Sequence, residues 1–213
     1  MKRVSIVVWI CLWVSIMNAQ ELTKITLPAA ARDRGASVMK ALADRQSRRE
    51  FSGKEISLQD LSDLLWAANG VNRPSDGKRT APSALNKQDV DIYVFTKDGV
   101  YLYDAPGHVL NPVAAGDHRD AVAGGQDFVK QAPVCLVYVS DLDRFGMGFS
   151  EQVKLMAAMD AGIVSENVNL FCAAVGLVTV PRASMDQAAL KQILKLSDNQ
   201  LPLMNNPVGH PVR

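Results

Sequence analysis

With 213 residues, 48% of them hydrophobic and 21% charged, the chain has the balance of an ordinary globular protein. It is long enough to bury one real core and lacks the apolar depletion that marks disorder. A formal charge of +1 argues against a nucleic-acid surface, which needs Lys and Arg gathered on one face.

Lys2 and Arg3 precede an almost unbroken apolar run from Val4 to Met17, ended by Asn18, Ala19 and Gln20. This is a signal-peptide layout. It predicts an export signal over 1–19 with Ala19 before the cut, an arm over 20–34 and a folded domain over 35–213. The run is short for a spanning helix, which needs about 20 apolar residues; an uncleaved anchor is the alternative. Removing Lys2 and Arg3 takes the formal charge from +1 to −1. Cys11 lacks the small preceding residues of a lipid-anchor site. Export to a periplasm or the exterior would permit a bridge between Cys135 and Cys172. Both lie in apolar runs, however, which favours two free core thiols over a disulfide.

Helix one is predicted over about Ala36 to Asp44, with Val38, Met39 and Leu42 on one face. Helix two starts at a Ser57 cap with Asp60 three residues on, carries Leu61, Leu64 and Leu65, and stops at Asn69-Gly70. A polar loop follows over 71–88, long enough to suggest a functional role. Asp91 to Thr96, the Lys97-Asp98-Gly99 turn and Val100 to Tyr103 read as a hairpin. Short helical stretches over 117–130 lead to Val134–Val139, an apolar run expected as a central buried strand. Gly146 to Gly148 reads as a flexible link. The longest helix, about Glu151 to Val175, is apolar on most sides and is expected to be buried. A short strand at Leu177–Val180, a helix at Met185–Leu194 and an extended segment at Leu201–Val208 complete the chain. Helices and strands mix without regular βαβ alternation, so the class is α+β.

Three segments could carry chemistry. Arg45-Gln46-Ser47-Arg48-Arg49, after helix one, gathers guanidiniums and a hydroxyl that can hold a dianionic phosphate through forked hydrogen bonds. The same residues also suit a solvated basic helix end. Pro82-Ser83-Ala84-Leu85-Asn86-Lys87-Gln88 is either an ordinary turn or a turn whose amides meet a planar heterocycle. In the segment from Asp160 to Leu170, Glu166 and Asn167 are polar residues in a very apolar helix. They need partners if buried, and otherwise occupy its exposed side. His108, His118 and His210 lie far apart without metal-ligand spacing. Dinucleotide, phosphate-loop and nucleophile-elbow motifs are lacking.

Taken in order, these segments resemble the nitroreductase family of FMN flavoproteins. Arg45-x-Ser47-x-Arg49-x-Phe51 is similar to its opening R-x-S-x-R-x-F, and Pro82-Ser83-Ala84-x-Asn86-x-Gln88 to P-S-(S/A)-x-N-x-Q. The stretch from Gly162 through Glu166-Asn167, Leu170 and Ala173 to Gly176-Leu177 resembles the long-helix pattern, with Glu166 where Gln is usual. Pro207-Val208-Gly209-His210-Pro211 resembles the closing strand. Leu64-Leu65-Trp66-Ala67-Ala68-Asn69-Gly70, with Gly125-Gln126-Asp127-Phe128 and Ala132-Pro133, is most similar to the thiazole-oxidase-like (SagB-type) branch.

The resemblance implies a central mixed or antiparallel sheet flanked by helices, in a two-fold homodimer whose long helices pack together. It implies FMN held at its phosphate and ribityl chain by Arg45, Ser47 and Arg49. Gln46 stands where many relatives carry a second basic residue. Pro82, Ser83, Ala84 and Asn86 would reach the partner subunit's flavin, and Gln126 the pyrimidine edge of the ring. Arg182 and Ala183 would line the ring near N5, and Arg213 would close on the phosphate. The implied function is two-electron, ping-pong oxidoreduction of a nitro, quinone or small heterocyclic compound, with the flavin carrying the chemistry and no acid–base dyad. Azoline or peptide dehydrogenation of the SagB type and flavin binding without turnover are the alternatives. NAD(P)H, the family's usual donor, is not expected outside the cytoplasm.

Overall fold

In the computed structural model, which describes residues 22–212, seven strands form one sheet: β1 (Ile25–Thr26), β4 (Val90–Phe95), β5 (Gly99–Asp104), β6 (Val109–Ala115), β7 (Val134–Asp141), β8 (Val178–Thr179) and β9 (Gln200–Gly209). The order is β1-β6-β5-β4-β7-β9-β8, and all pairings between these strands are antiparallel. A separate small hairpin joins β2 (Val71–Arg73) to β3 (Lys78–Arg79) inside the segment expected as a loop. The export signal over 1–19 and Arg213 lie outside the described residues. No helix among the described residues is long and apolar enough to cross a membrane.

Both faces of the sheet are covered, which is why β7 reads as a continuous apolar run. Val134, Leu136 and Tyr138 point into one core, while Cys135, Val137 and Val139 point into the other, as the two-residue strand period requires. The first core lies under α2 (Leu58–Asn69) and α4 (Glu151–Val175). The second lies under α3 (Arg119–Ala123) and α5 (Gln187–Leu194). Cys172 belongs to the first core and Cys135 to the second. The sheet therefore separates two free, buried thiols, and burial pushes the Cys135 thiol up to about 12.

The sequence did not disclose β6. Pro112 sits in it opposite Tyr101, and proline lacks the N–H of a central strand. It is tolerated because β1 covers only the Val109–Leu110 end of β6. β1 belongs to the arm, which is docked over 22–34. Leu27 is buried, and the buried Asp63 carboxylate accepts from Ala31 N at 2.8 Å and Arg34 Nη1 at 2.7 Å. Ser62 Oγ donates to the Pro28 carbonyl at 2.6 Å and lies 2.7 Å from His108 Nε2, while Tyr103 Oη lies 2.9 Å from His108 Nδ1.

Two helices depart from expectation. Helix α1 (Val38–Asp44) begins after a Ser37 cap, and its apolar residues face outward: Val38 is 69% and Met39 76% exposed, and only Ala41 is buried. Helix α4 is not buried on all sides either. Leu155, at 61% exposure, Met159, at 52%, and the exposed Ile163 recur at four-residue spacing, so they form one uncovered stripe. Its inward face instead carries Asp160, Ser165 and Asn169. Gly146 closes the short helical turn over Leu142–Phe145 in the left-handed conformation, so the expected link is a helix stop.

Candidate functional site

Helix α1 ends at Asp44, and the chain leaves it extended from Arg45. The segment is pinned along β8: Ser47 forms a parallel bridge with Thr179, and Arg48 N donates to the Thr179 carbonyl at 3.0 Å. In an extended segment side chains alternate, and the five residues divide accordingly. Gln46 and Arg48 line a cavity of about 260 Å³ against Asn169, Gly176 and Thr179 at the end of α4. Arg45, Ser47 and Arg49 take the other side, where the Arg49 charge reaches Arg182. Gln46 therefore does not share a side with the residues predicted to hold a phosphate. Arg45 and Arg49 enter none of the ion pairs among the described residues.

Arg182 follows β8, and its guanidinium is turned inward rather than toward a ligand. Nη1 donates to the Val122 carbonyl at 3.1 Å and to Asn205 Oδ1 at 2.7 Å; Nη2 donates to the Ala123 carbonyl at 2.8 Å. The Val122 and Ala123 carbonyls end α3, so the cation caps the helix. Desolvation holds the Arg182 pKa below the usual arginine range, and the neighbouring Arg49 adds to the effect. Arg182 Nε donates to Gln126 Oε1 at 3.1 Å. An arginine only donates, so the Gln126 amide presents its oxygen inward and leaves its NH₂ to face outward. Gly124 makes this approach possible: it is left-handed (φ +54°), and a Cβ there would lie 2.7 Å from Met185 Cα. Gln126 and Ala183 are both exposed. The structure thus joins two predicted residues but gives Arg182 a positioning role, not one in the ring's lining.

The 82–88 segment lies elsewhere. Ala84 N donates to both oxygens of Asp160, at 3.0 and 2.8 Å, in the first half of α4. The residues before α1 are tied to the other end, where Ala36 N donates to the Ala174 carbonyl at 2.9 Å, and Gln46 and Arg48 of the Arg45 segment line a cavity there with Cys172 and Gly176. Asp160 and Ala174 are about 21 Å apart along the helix at ~1.5 Å per residue. Pro82, Ser83, Ala84 and Asn86 are therefore not brought to their own chain's Arg45–Arg49 segment. Glu166 is exposed and accepts from Asn169 Nδ2 at 2.8 Å, while Asn167 Nδ2 donates to the Ala68 carbonyl at 3.2 Å.

A polar network that sequence reasoning missed fixes β8 and β9 to α4. Asn206 is fully buried. Its Oδ1 accepts from Tyr138 Oη at 2.8 Å and Ser165 Oγ at 2.7 Å; its Nδ2 donates to Asn169 Oδ1 and Thr179 Oγ1, each at 3.0 Å. All four hydrogen-bonding positions of the amide are used. The network holds Thr179, and through its backbone the Arg48 segment, in place.

A model of the nitroreductase family matches residues 42–210. The chain belongs to the nitroreductase family. It is 31% identical over 180 residues to a candidate nitroreductase of Methanocaldococcus jannaschii, covering 80% of this chain and 89% of that one. It is 24% identical over 188 residues to the FMN reductase [NAD(P)H] of Bacillus subtilis, covering 82% of this chain and 66% of that protein. The crystal structure of a candidate nitroreductase from Ralstonia eutropha superposes with a TM-score of 0.83 at 37% identity, over 89% of this chain and 90% of that one. Proteins of this family are FMN-dependent oxidoreductases.

The residues of this nitroreductase-family chain fit that cofactor. Arg45 and Arg49 are cations without a carboxylate partner among the described residues, and Ser47 adds an exposed hydroxyl beside them. Together they suit a dianionic phosphate. The outward NH₂ of Gln126 suits a carbonyl on a heterocycle edge.

Proposed function

We propose that this chain is an FMN-dependent oxidoreductase that works as a homodimer, each flavin site being built by two subunits. The carrying observation is the separation of the two predicted contact sets to opposite ends of one helix. The Arg45–Arg49 segment runs past the C-terminal end of α4 and Gln126 is joined to Arg182 beside Arg49, whereas the 82–86 turn is fixed to the other half of α4. A two-fold copy packed along α4 would bring each turn to the other subunit's cation cluster. The uncovered stripe of Leu155, Met159 and Ile163, with Val38, Met39 and Leu42 on α1, supplies the apolar surface such packing needs.

When bound, FMN supplies two-electron redox chemistry at its ring. Arg45, Ser47 and Arg49 hold the phosphate; the Gln126 amide orients the ring; the second subunit's turn excludes water from the ring. Arg213 closing on the phosphate and Ala183 beside the ring remain part of this reading. Substrates are nitro, quinone or small heterocyclic compounds reduced or oxidised in a ping-pong cycle. Within the family the SagB-type branch, with azoline or peptide dehydrogenation, is favoured by the Leu64–Gly70 segment. There Trp66 Nε1 donates to the Val71 carbonyl at 3.1 Å and Asn69 Nδ2 to the Val90 carbonyl at 3.1 Å, so the segment's side chains tie α2 to the start of β2 and to β4. The same proposal places the protein outside the cytoplasm after cleavage at Ala19. A donor other than NAD(P)H, or a substrate that is itself the reductant, then follows.

The test is the visible spectrum of the purified mature protein, with the released cofactor identified by mass. Paired flavin bands and the mass of FMN are expected, followed by bleaching with a suitable donor. A colourless protein that cannot be reconstituted with FMN would overturn the reading. A bound flavin that no donor reduces would indicate a binding protein without turnover.

A further inference from the structure

The turn at 83–88 is held in a conformation that side-chain-bearing residues rarely adopt. Leu85, Asn86 and Gln88 have φ of 54°, 53° and 48°, in the small left-handed region. Such backbone persists only where the surroundings over-determine it. Ser83 Oγ accepts from Gln88 N at 2.8 Å, and Arg144 Nη1 donates to the Gln88 carbonyl at 2.7 Å. Asp160 ties the other side of the turn to α4, its two oxygens accepting the Ala84 N–H at 3.0 and 2.8 Å.

Asp160 is 3% exposed and Asp89, just before β4, is 0% exposed. Asp160 is the neighbouring carboxyl group that, after burial, raises the Asp89 pKa, so the two groups lie close together. Asp89 Oδ2 accepts from Ser140 Oγ, while Asp89 Oδ1 is buried with no donor. A bare, buried carboxylate oxygen opposite a second carboxylate is strongly disfavoured. Nearby cations are committed to other acceptors. Arg144 pairs with Asp91 at 2.6 Å and with Asp141 at 3.3 Å, and Arg79 Nε donates to Gln88 Oε1 at 3.1 Å. Asp141 N donates to the Asp89 carbonyl at 2.9 Å. Lys87, in the turn itself, enters no ion pair among the described residues. A single proton on Asp89 Oδ1, donated to Asp160, satisfies the orphaned atom and leaves Asp160 able to accept Ala84 N–H.

We propose that a proton held on Asp89 is donated to Asp160 and that the two residues form a latch that fixes the 83–88 turn for contact with the flavin held by the partner subunit. The flavin part of this rests on the shared-site reading; the latch does not. Burial and the facing Asp160 push Asp89 up to about 7. The proton is kept below that pH and lost above it, so the latch loosens as pH rises. Both residues are positioning residues, acting on the flavin only through the turn.

The test uses the full-length protein, its Asp89→Asn and Asp160→Ala variants, infrared detection of a protonated carboxyl group, amide exchange at Ala84 and FMN titration. In the wild type, raising the pH from about 6 to about 8.5 should abolish the carboxyl band, speed Ala84 exchange about tenfold beyond the chemical rate, and weaken FMN binding at least about threefold. In Asp89→Asn an amide donor replaces the donated proton. The band should be absent and the pH dependence of both exchange and affinity lost, with FMN bound at the wild type's low-pH strength. Asp160→Ala should expose Ala84 to exchange at every pH. A wild type without a protonated carboxyl at pH about 6, or an Asp89→Asn variant that keeps the wild-type pH profile, would overturn the latch. Exchange that follows pH while FMN affinity does not would leave the latch standing and overturn the flavin contact of this turn.

Discussion

Asn206 shows how one buried side chain can decide the shape of a site it need not touch. Its amide joins β9 to β7, α4 and β8 through four hydrogen bonds. Removing it leaves the buried Tyr138 and Ser165 hydroxyls without their acceptor and takes a donor from Asn169 and Thr179, each unsatisfied group costing about 1–3 kcal/mol. We expect Asn206→Ala to lower unfolding stability by about 3 kcal/mol or more, measured by urea denaturation. Arg45 and Arg49 stand in contrast, being cations without ion-pair partners among the described residues and with little structural work to do. The double variant Arg45→Ala, Arg49→Ala should fold normally and weaken FMN binding by about 3 kcal/mol or more, at ~1.5–3 kcal/mol for each charge-assisted bond. Fluorescence titration reads this directly, and unchanged affinity would remove the phosphate assignment.

Among the elements, α3 is the one most dependent on a distant residue. It is five residues long, too short to be stable alone, and its last carbonyls are capped by Arg182. Arg182→Ala should therefore act on the element before the ligand. Amide exchange over 119–126 should rise, and Gln126 should lose its fixed amide orientation. Arg182→Lys should restore neither, because an ammonium lacks the fork needed to reach both carbonyls and Gln126. Helix α4 poses a different problem, since its uncovered stripe is apolar where a solvated helix should be polar. Leu155→Glu with Met159→Glu leaves the inward face untouched. We expect a folded monomer by light scattering, with FMN affinity lost because each site then lacks the partner's turn. A variant that remains a dimer would place the interface elsewhere.

At the scale of the molecule, the arm over 22–34 is held by a neutral histidine. His108 Nδ1 accepts from Tyr103 Oη and its Nε2–H faces Ser62 Oγ and the Pro28 carbonyl, while burial lowers its pKa from the ordinary 6.5. The unfolded chain binds the proton more readily, so stability is present above about pH 6.5 and is lost as pH falls below it. Acidification should thus loosen the arm first, detected as faster exchange at Leu27, and His108→Gln should flatten that response. The Asp89–Asp160 pair works in the opposite direction, its contribution being lost as pH rises toward about 7. Separate probes at Leu27 and Ala84 should therefore report opposite trends.

Elements whose signal is local were legible in the sequence. These include the Ser57 cap with Asp60, joined at 2.7 Å, the β4–β5 hairpin with its glycine turn, and the apolar β7 run. The separation of Cys135 from Cys172 followed from their apolar settings, although only the sheet between them explains it. The Arg45–Arg49 motif and the 82–88 turn were visible as residue types, because phosphate and amide chemistry need those types in short spacing. Tertiary structure alone decided that Gln46 faces away, that Arg182 serves α3 and Gln126, and that Pro112 can sit in β6. It also decided which faces of α1 and α4 stay uncovered, since periodicity finds an apolar stripe but not the surface that meets it. Asp89 and Asp160 are 71 positions apart. Nothing local in either position announces a donated proton; the pairing arises only when β4 and α4 close on one another and exclude water.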